Sequence, residues 1–89
     1  MNWDIQLSSK ALKYYKRLPG KIQKEIRNEL FRLKTFNVVL SHPEVKSLPG
    51  KLKGFYRLRI GKYRVIFGLL KQEGVIAVIN IRPRRDLYK

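Results

Sequence analysis

The chain has 89 residues, 44% hydrophobic and 30% charged, the balance of one globular domain (residues 1–89) with a modest core. With no cysteine and one histidine, His42, it excludes disulfide scaffolds and thiolate zinc sites and argues against a histidine metal centre; no apolar run reaches the ~18 residues of a membrane helix. Twenty-one Lys and Arg against six Asp and Glu give +15, a field that attracts polyanions, nucleic acid first among them; an acidic protein, an anionic surface or plain solubility fit the same arithmetic.

Met1 to Asp4 has neither the basic start nor the apolar stretch of a secretory signal, so the expected location is the cytoplasm. Trp3, Ile5 and Leu7 alternate with Asp4 and Gln6, which predicts a short strand with one buried side. Ser8 and Ser9 supply an N-cap for a first helix, where Ala11, Leu12, Tyr15 and Leu18 fall at helical spacing. Lys10, Lys13, Lys16 and Arg17 lie mostly elsewhere on its surface, and Pro19-Gly20 stops it. Ile22, Ile26, Leu30 and Leu33 make the stripe of a second helix ending over residues 35–37. Glu25 follows Lys21 by four residues and Glu29 precedes Arg32 by three; helix ion pairs explain both acids better than a metal pair does.

Residues 38–53 hold Pro43, Pro49 and Gly50 and sustain no period, so they read as loop. Three strands follow. On the first, over 55–60, Tyr56, Leu58 and Ile60 oppose Arg57 and Arg59; on the second, over 63–70, Tyr63, Val65, Phe67 and Leu69 oppose Arg64, Ile66 and Gly68. Gly61-Lys62 turns the chain between them, and Gln72-Glu73-Gly74 turns it again. Residues 75–81 are apolar on both faces except Asn80, as in a central strand. The order β-α-α-β-β-β predicts an α+β fold: an N-terminal strand, an αα-hairpin and a three-stranded antiparallel meander in one sheet packed on the helices. Periodicity does not place the first strand in that sheet.

Between Val45 and Gln72 there is no acid and there are eight bases: Lys46, Lys51, Lys53, Arg57, Arg59, Lys62, Arg64 and Lys71. Arg57 and Arg59 share a strand face ~6.5–7 Å apart, and Arg64 reaches it from the next strand if the register is tight. Arg82, Arg84, Arg85 and Tyr88 follow in the tail. Guanidinium groups converging on a sheet beside an aromatic suit single-stranded RNA. The solvated face of a hairpin explains the pattern equally well. Tyr63, Phe67 and Leu69 read as core, Trp3 as packing and His42 as structural.

The run Leu52-Lys53-Gly54-Phe55-Tyr56-Arg57-Leu58-Arg59-Ile60-Gly61-Lys62-Tyr63-Arg64-Val65-Ile66-Phe67 resembles the signature of RelE/ParE-superfamily toxins of toxin–antitoxin systems, and the tail Arg82-Pro83-Arg84-Arg85-Asp86-Leu87-Tyr88 resembles that family's terminal segment. The resemblance spans essentially the whole chain. It implies a ribosome-dependent endoribonuclease that cuts mRNA in the A site without metal or cofactor, the RNA's own 2′-hydroxyl attacking to leave a 2′,3′-cyclic phosphate. Carried over by position, the catalytic set is Arg57, Arg59, Arg64, Arg84 and Tyr88. Lys13, Lys24, Lys51, Lys53, Arg82 and Arg85 are then expected to bind ribosomal or messenger RNA. The implied partners are the ribosome and a cognate, acidic antitoxin, with no membrane. The gyrase-poisoning ParE branch shares the fold, and a non-catalytic basic binding module is the reading from another class.

The chain departs from one branch of that family by carrying Arg57 and Arg59 where lysines stand. Arginine keeps its proton, so neither is a general base, but both can stabilise a phosphorane. Tyr88 is then the expected proton carrier, its ~10 reference pKa lowered by nearby guanidinium charge; alternatively its ring only stacks and positions.

Overall fold

Ser8 ties the first strand, the first helix and the last strand together. Its backbone N–H donates to Val78 O at 2.8 Å, its hydroxyl donates to Ile79 O at 2.9 Å, and the same Oγ accepts from Ala11 N at 3.1 Å as the helix N-cap. The computed structural model describes residues 3–35 and 39–83. Strand β1 (Asp4–Leu7) leads into helix α1 (Ser9–Arg17) and helix α2 (Gly20–Thr35). Strands β2 (Val45–Ser47), β3 (Tyr56–Ile60), β4 (Tyr63–Leu70) and β5 (Val75–Pro83) follow, in a five-stranded sheet of order β1-β5-β4-β3-β2.

The expected α+β architecture and antiparallel β3-β4-β5 meander are present. β1 takes the position that periodicity left open, parallel to β5 with Leu7 opposite Val78. The stretch read as loop holds one more strand: β2 pairs antiparallel with β3, flanked by single 3-10 turns over Val39–Ser41 and Gly50–Leu52. A strand of three residues is too short to display a period, which is why the sequence conceals it.

The helices cover one face of the sheet. Ala11, Ile26, Leu30 and Leu33 pack on Leu58, Ile60, Val65, Phe67, Ile76, Val78 and Ile81, all buried. Val78 and Ile81 have opposite parity yet both face this core. A β-bulge permits it: Ile66 pairs with Asn80 and Phe67 with Val78, so Ile79 is the extra residue on β5. Gln23 locks the helix–helix turn, its Nε2 donating to Tyr15 O at 2.9 Å and Leu18 O at 3.1 Å, while the Tyr15 hydroxyl donates back to Gln23 O at 3.0 Å. Of the helix acids, Glu29 pairs with Arg32 at 2.8 Å. Glu25 lies beside the β3–β4 turn, its Oε1 2.9 Å from the point a Cβ on Gly61 would occupy. No helix among the described residues is long and apolar enough to cross a membrane.

Candidate catalytic face and basic groove

Alternation along β3 turns Arg57 and Arg59 away from the helices, and the register extends their face across the sheet. Arg59 lies opposite Arg64, and Arg64 opposite Arg82. Directly paired residues share a face, so β3, β4 and β5 each contribute one arginine to a row. At the usual ~4.8 Å strand spacing this row is roughly 10 Å long. Arg57 stands in the next row, with Ile66 and Asn80. Phe55, just before β3, lies over Gly68: a Cβ there would meet the ring at 3.2 Å, so the glycine is what lets the aromatic approach this face so closely.

Arg57 is 9% exposed and Arg64 7%. Arginine is rarely so buried unless partnered. These two are therefore not a solvated hairpin face, one of the readings the sequence leaves open. Arg57 Nη1 donates to Glu44 O at 3.2 Å. Arg59 is more open, and it meets the Glu44 carboxylate with Nε at 3.2 Å and Nη2 at 3.1 Å from Oε2. The turn carrying Glu44 is pinned from both sides. Arg59 N donates to Glu44 O at 3.1 Å, and Glu44 N donates to His42 Nδ1, also at 3.1 Å. His42 is thus a structural acceptor in the turn that presents Glu44.

Of the expected catalytic residues, Arg57, Arg59 and Arg64 are brought together, joined by Arg82 from the expected binding set. Arg84, Arg85 and Tyr88 lie outside the described residues. The remaining binding candidates do not converge. Lys13 lines a groove of about 310 Å³ between α1 and the end of β5, together with Lys10, Tyr14, Arg17, Asn80 and Arg82. Lys24 is exposed on α2, and Lys51 and Lys53 are exposed on the β2–β3 connection.

Sequence reasoning missed Glu44, Phe55 and the groove residues Lys10, Tyr14 and Arg17. Phe55 was legible, since it shares the parity of Arg57 and Arg59. Lys10, Lys13, Tyr14 and Arg17 recur at helical spacing, but only the position of β5 shows that they line one wall. Glu44 is fifteen residues from Arg59 and reaches it only because β2 pairs with β3.

The chain matches the family model of the ParE toxin of type II toxin–antitoxin systems over residues 5–88. It is 30% identical over 89 residues to the putative toxin RelE1 of Methanocaldococcus jannaschii, covering 100% of this chain and 98% of that protein. Its fold superposes on the archaeal RelE–RelB complex from Pyrococcus horikoshii OT3 with a TM-score of 0.76 at 25% identity, covering 94% of this chain and 97% of that one. The toxin–antitoxin complex RelBE2 of Mycobacterium tuberculosis has the same fold at 17% identity, with a TM-score of 0.75 over 94% of this chain and 100% of that one.

Proposed function

This chain belongs to the ParE/RelE toxin family of type II toxin–antitoxin systems, and from that premise we propose that it is a ribosome-dependent endoribonuclease. The observation that carries the reading is the arginine row Arg59–Arg64–Arg82 with Arg57 beside it, set on sheet strands and not on loops. The substrate is messenger RNA held in the ribosomal A site. The 2′-oxygen attacks the adjacent phosphorus; the 2′-O–P bond forms as the P–O5′ bond breaks, leaving a 2′,3′-cyclic phosphate and a free 5′-hydroxyl. Charge accumulates on the non-bridging oxygens of the five-coordinate phosphorane, and preorganised guanidinium groups stabilise it most where water is scarce. The buried Arg64 and Arg57 meet that condition.

The proton of the 2′-hydroxyl needs an acceptor, and arginine is not one. Among the described residues, Glu44 is the carboxylate that meets an arginine of this face, about two-fifths exposed and held by Arg59. In this mechanism Glu44 accepts that proton, and Tyr88 supplies one to the departing 5′-oxygen. Arg59 exchanges part of its contact with Glu44 for the phosphate when RNA binds. No metal enters the scheme. The ribosome contributes in-line positioning of the 2′-oxygen, a large part of such a barrier.

The partner is a cognate antitoxin, as in the relatives solved with RelB. An apolar groove of about 640 Å³ between β1 and the helices suits an acidic, amphipathic antitoxin segment: Leu12, Leu30 and Phe31 line it, with Arg27 and Lys34 among the other walls. Phe31 is 60% exposed there. The matching family model, described as ParE, favours a second reading, a gyrase poison that leaves RNA intact.

The chemistry of the cut end separates them. The 5′ fragment of A-site mRNA should carry a 2′,3′-cyclic phosphate. A 3′-hydroxyl end would refute 2′-oxygen attack, and uncut mRNA with inhibited supercoiling would favour the gyrase reading.

A further inference from the structure

α1 carries four bases, Lys10, Lys13, Lys16 and Arg17, and no acid. Lys13 and Arg17 are like charges four residues apart on one helix, an arrangement that costs helix stability and that an acid at either position would relieve. With Lys10 and Tyr14 they form one stripe, and that stripe is a wall of the groove. The other wall is the end of β5. β1 pairs with β5 only over Val75–Val78, so Asn80 to Pro83 have no strand on that side among the described residues, and α1 runs there instead. The eight residues lining the groove include four cations, Lys10, Lys13, Arg17 and Arg82, and no carboxylate. The walls are fixed relative to each other, because Ser8 anchors the start of α1 to Val78 O and to Ile79 O at the bulge.

Arg82 belongs to both features. It lines the groove, and its register partner is Arg64 in the arginine row. An anionic chain lying on the row thus continues over Arg82 into the groove with no acidic residue between among the described residues. Cations one helical turn apart stand ~5–6 Å from one another, within reach of successive phosphates of an extended strand. Tyr14 adds an aromatic surface for a base or ribose. We infer that the groove between α1 and the end of β5 is a subsite for the sugar–phosphate backbone of single-stranded RNA next to the scissile phosphate. Its ligands are Lys10, Lys13, Arg17 and Arg82, and it rests on the reading of the arginine row as an RNA-cleaving face. An acidic peptide would satisfy the charges alone. RNA is favoured because the groove leads into a row of guanidinium groups, whose planar fork matches phosphate.

The test uses the whole chain and a labelled, fully 2′-O-methylated RNA octamer, which the attack mechanism cannot cut. Anisotropy is measured across a salt series for the wild type, for Lys10→Ala/Lys13→Ala/Arg17→Ala, and for a control of equal charge, Lys21→Ala/Lys62→Ala/Lys71→Ala. The groove variant should bind at least about tenfold more weakly at low salt. Its log K against log salt slope should flatten by about two units, since each single-strand phosphate contact contributes ~0.7. The control should change affinity only a few-fold. Circular dichroism should show α1 unharmed, since removing like charges does not weaken a helix. Equal losses in both variants would overturn the subsite in favour of a diffuse field. So would a groove variant that keeps its RNA affinity but no longer binds polyglutamate.

Cleavage on programmed ribosomes is read separately. A wild type that leaves mRNA intact but shows the groove-dependent slope removes the nuclease reading and keeps an RNA groove. A wild type that cleaves, with groove and control variants indistinguishable, keeps the nuclease and removes the groove.

Discussion

Glu44 and Arg59 meet through Oε2, 3.2 Å from Nε and 3.1 Å from Nη2, across fifteen residues of chain. The pair puts the carboxylate beside an otherwise cationic face. Both side chains are about two-fifths exposed, so the pair contributes ~0–1 kcal/mol to stability and opens readily. Glu44→Gln should therefore leave the melting temperature nearly unchanged. The single-turnover cleavage rate should fall by roughly 10²–10⁴-fold, the size of a general-base contribution. A glutamine variant within a few-fold of wild type would reduce Glu44 to a restraint on Arg59.

Arg64 is buried and central in the row, flanked by Arg59 and Arg82. Arg64→Ala should slow the chemical step by roughly 10²–10³-fold, as loss of one preorganised donor to a developing charge does, with ribosome affinity nearly kept. Arg64→Lys should recover only part, because an ammonium lacks the fork. Wild-type cleavage by Arg64→Ala on saturated ribosomes would remove this arginine from the site.

Tyr88 separates proton transfer from stacking. As the donor to the 5′-oxygen, it should lose roughly 10²–10⁴-fold in Tyr88→Phe. As a stacking ring it should tolerate phenylalanine, and only Tyr88→Ala should lose ~1–3 kcal/mol of positioning. Cleavage rates of the two variants on the same ribosomes decide between them.

The β3–β4 turn sets the register that aligns Arg59 with Arg64, and Gly61 makes it with φ +56°. An alanine there meets the left-handed penalty and also Glu25 Oε1 at 2.9 Å. Gly61→Ala should destabilise by about 1–2 kcal/mol in urea unfolding, the left-handed backbone penalty, because the end of the Glu25 side chain can swing aside, and Gly74→Ala, with open space around it, should lose a similar amount. Losses well under 1 kcal/mol at both glycines would contradict the left-handed turns.

What the sequence made legible is whatever depends on period and capping. Parity put Arg57 and Arg59 on one face, with Arg64 joining them once the β3–β4 register was known, Ser8 announced α1, and the Ile22–Leu33 stripe announced α2. What stayed hidden depends on long-range pairing. Three residues of β2 between Pro43 and Pro49 have no visible alternation, and without β2 nothing links Glu44 to Arg59. The bulge at Ile79, which lets Val78 and Ile81 both face the core, looks in sequence like an unbroken apolar run. The burial of Arg57 and Arg64 is also invisible there, because a basic strand face reads as solvated until its surroundings are known.

The most direct measurement is primer extension on an mRNA programmed with a defined A-site codon, incubated with the purified chain with and without ribosomes, and with and without EDTA. A stop within that codon, dependent on ribosomes and indifferent to chelator, is the predicted result. Chelator-sensitive digestion of free RNA, or full-length extension under every condition, would contradict it.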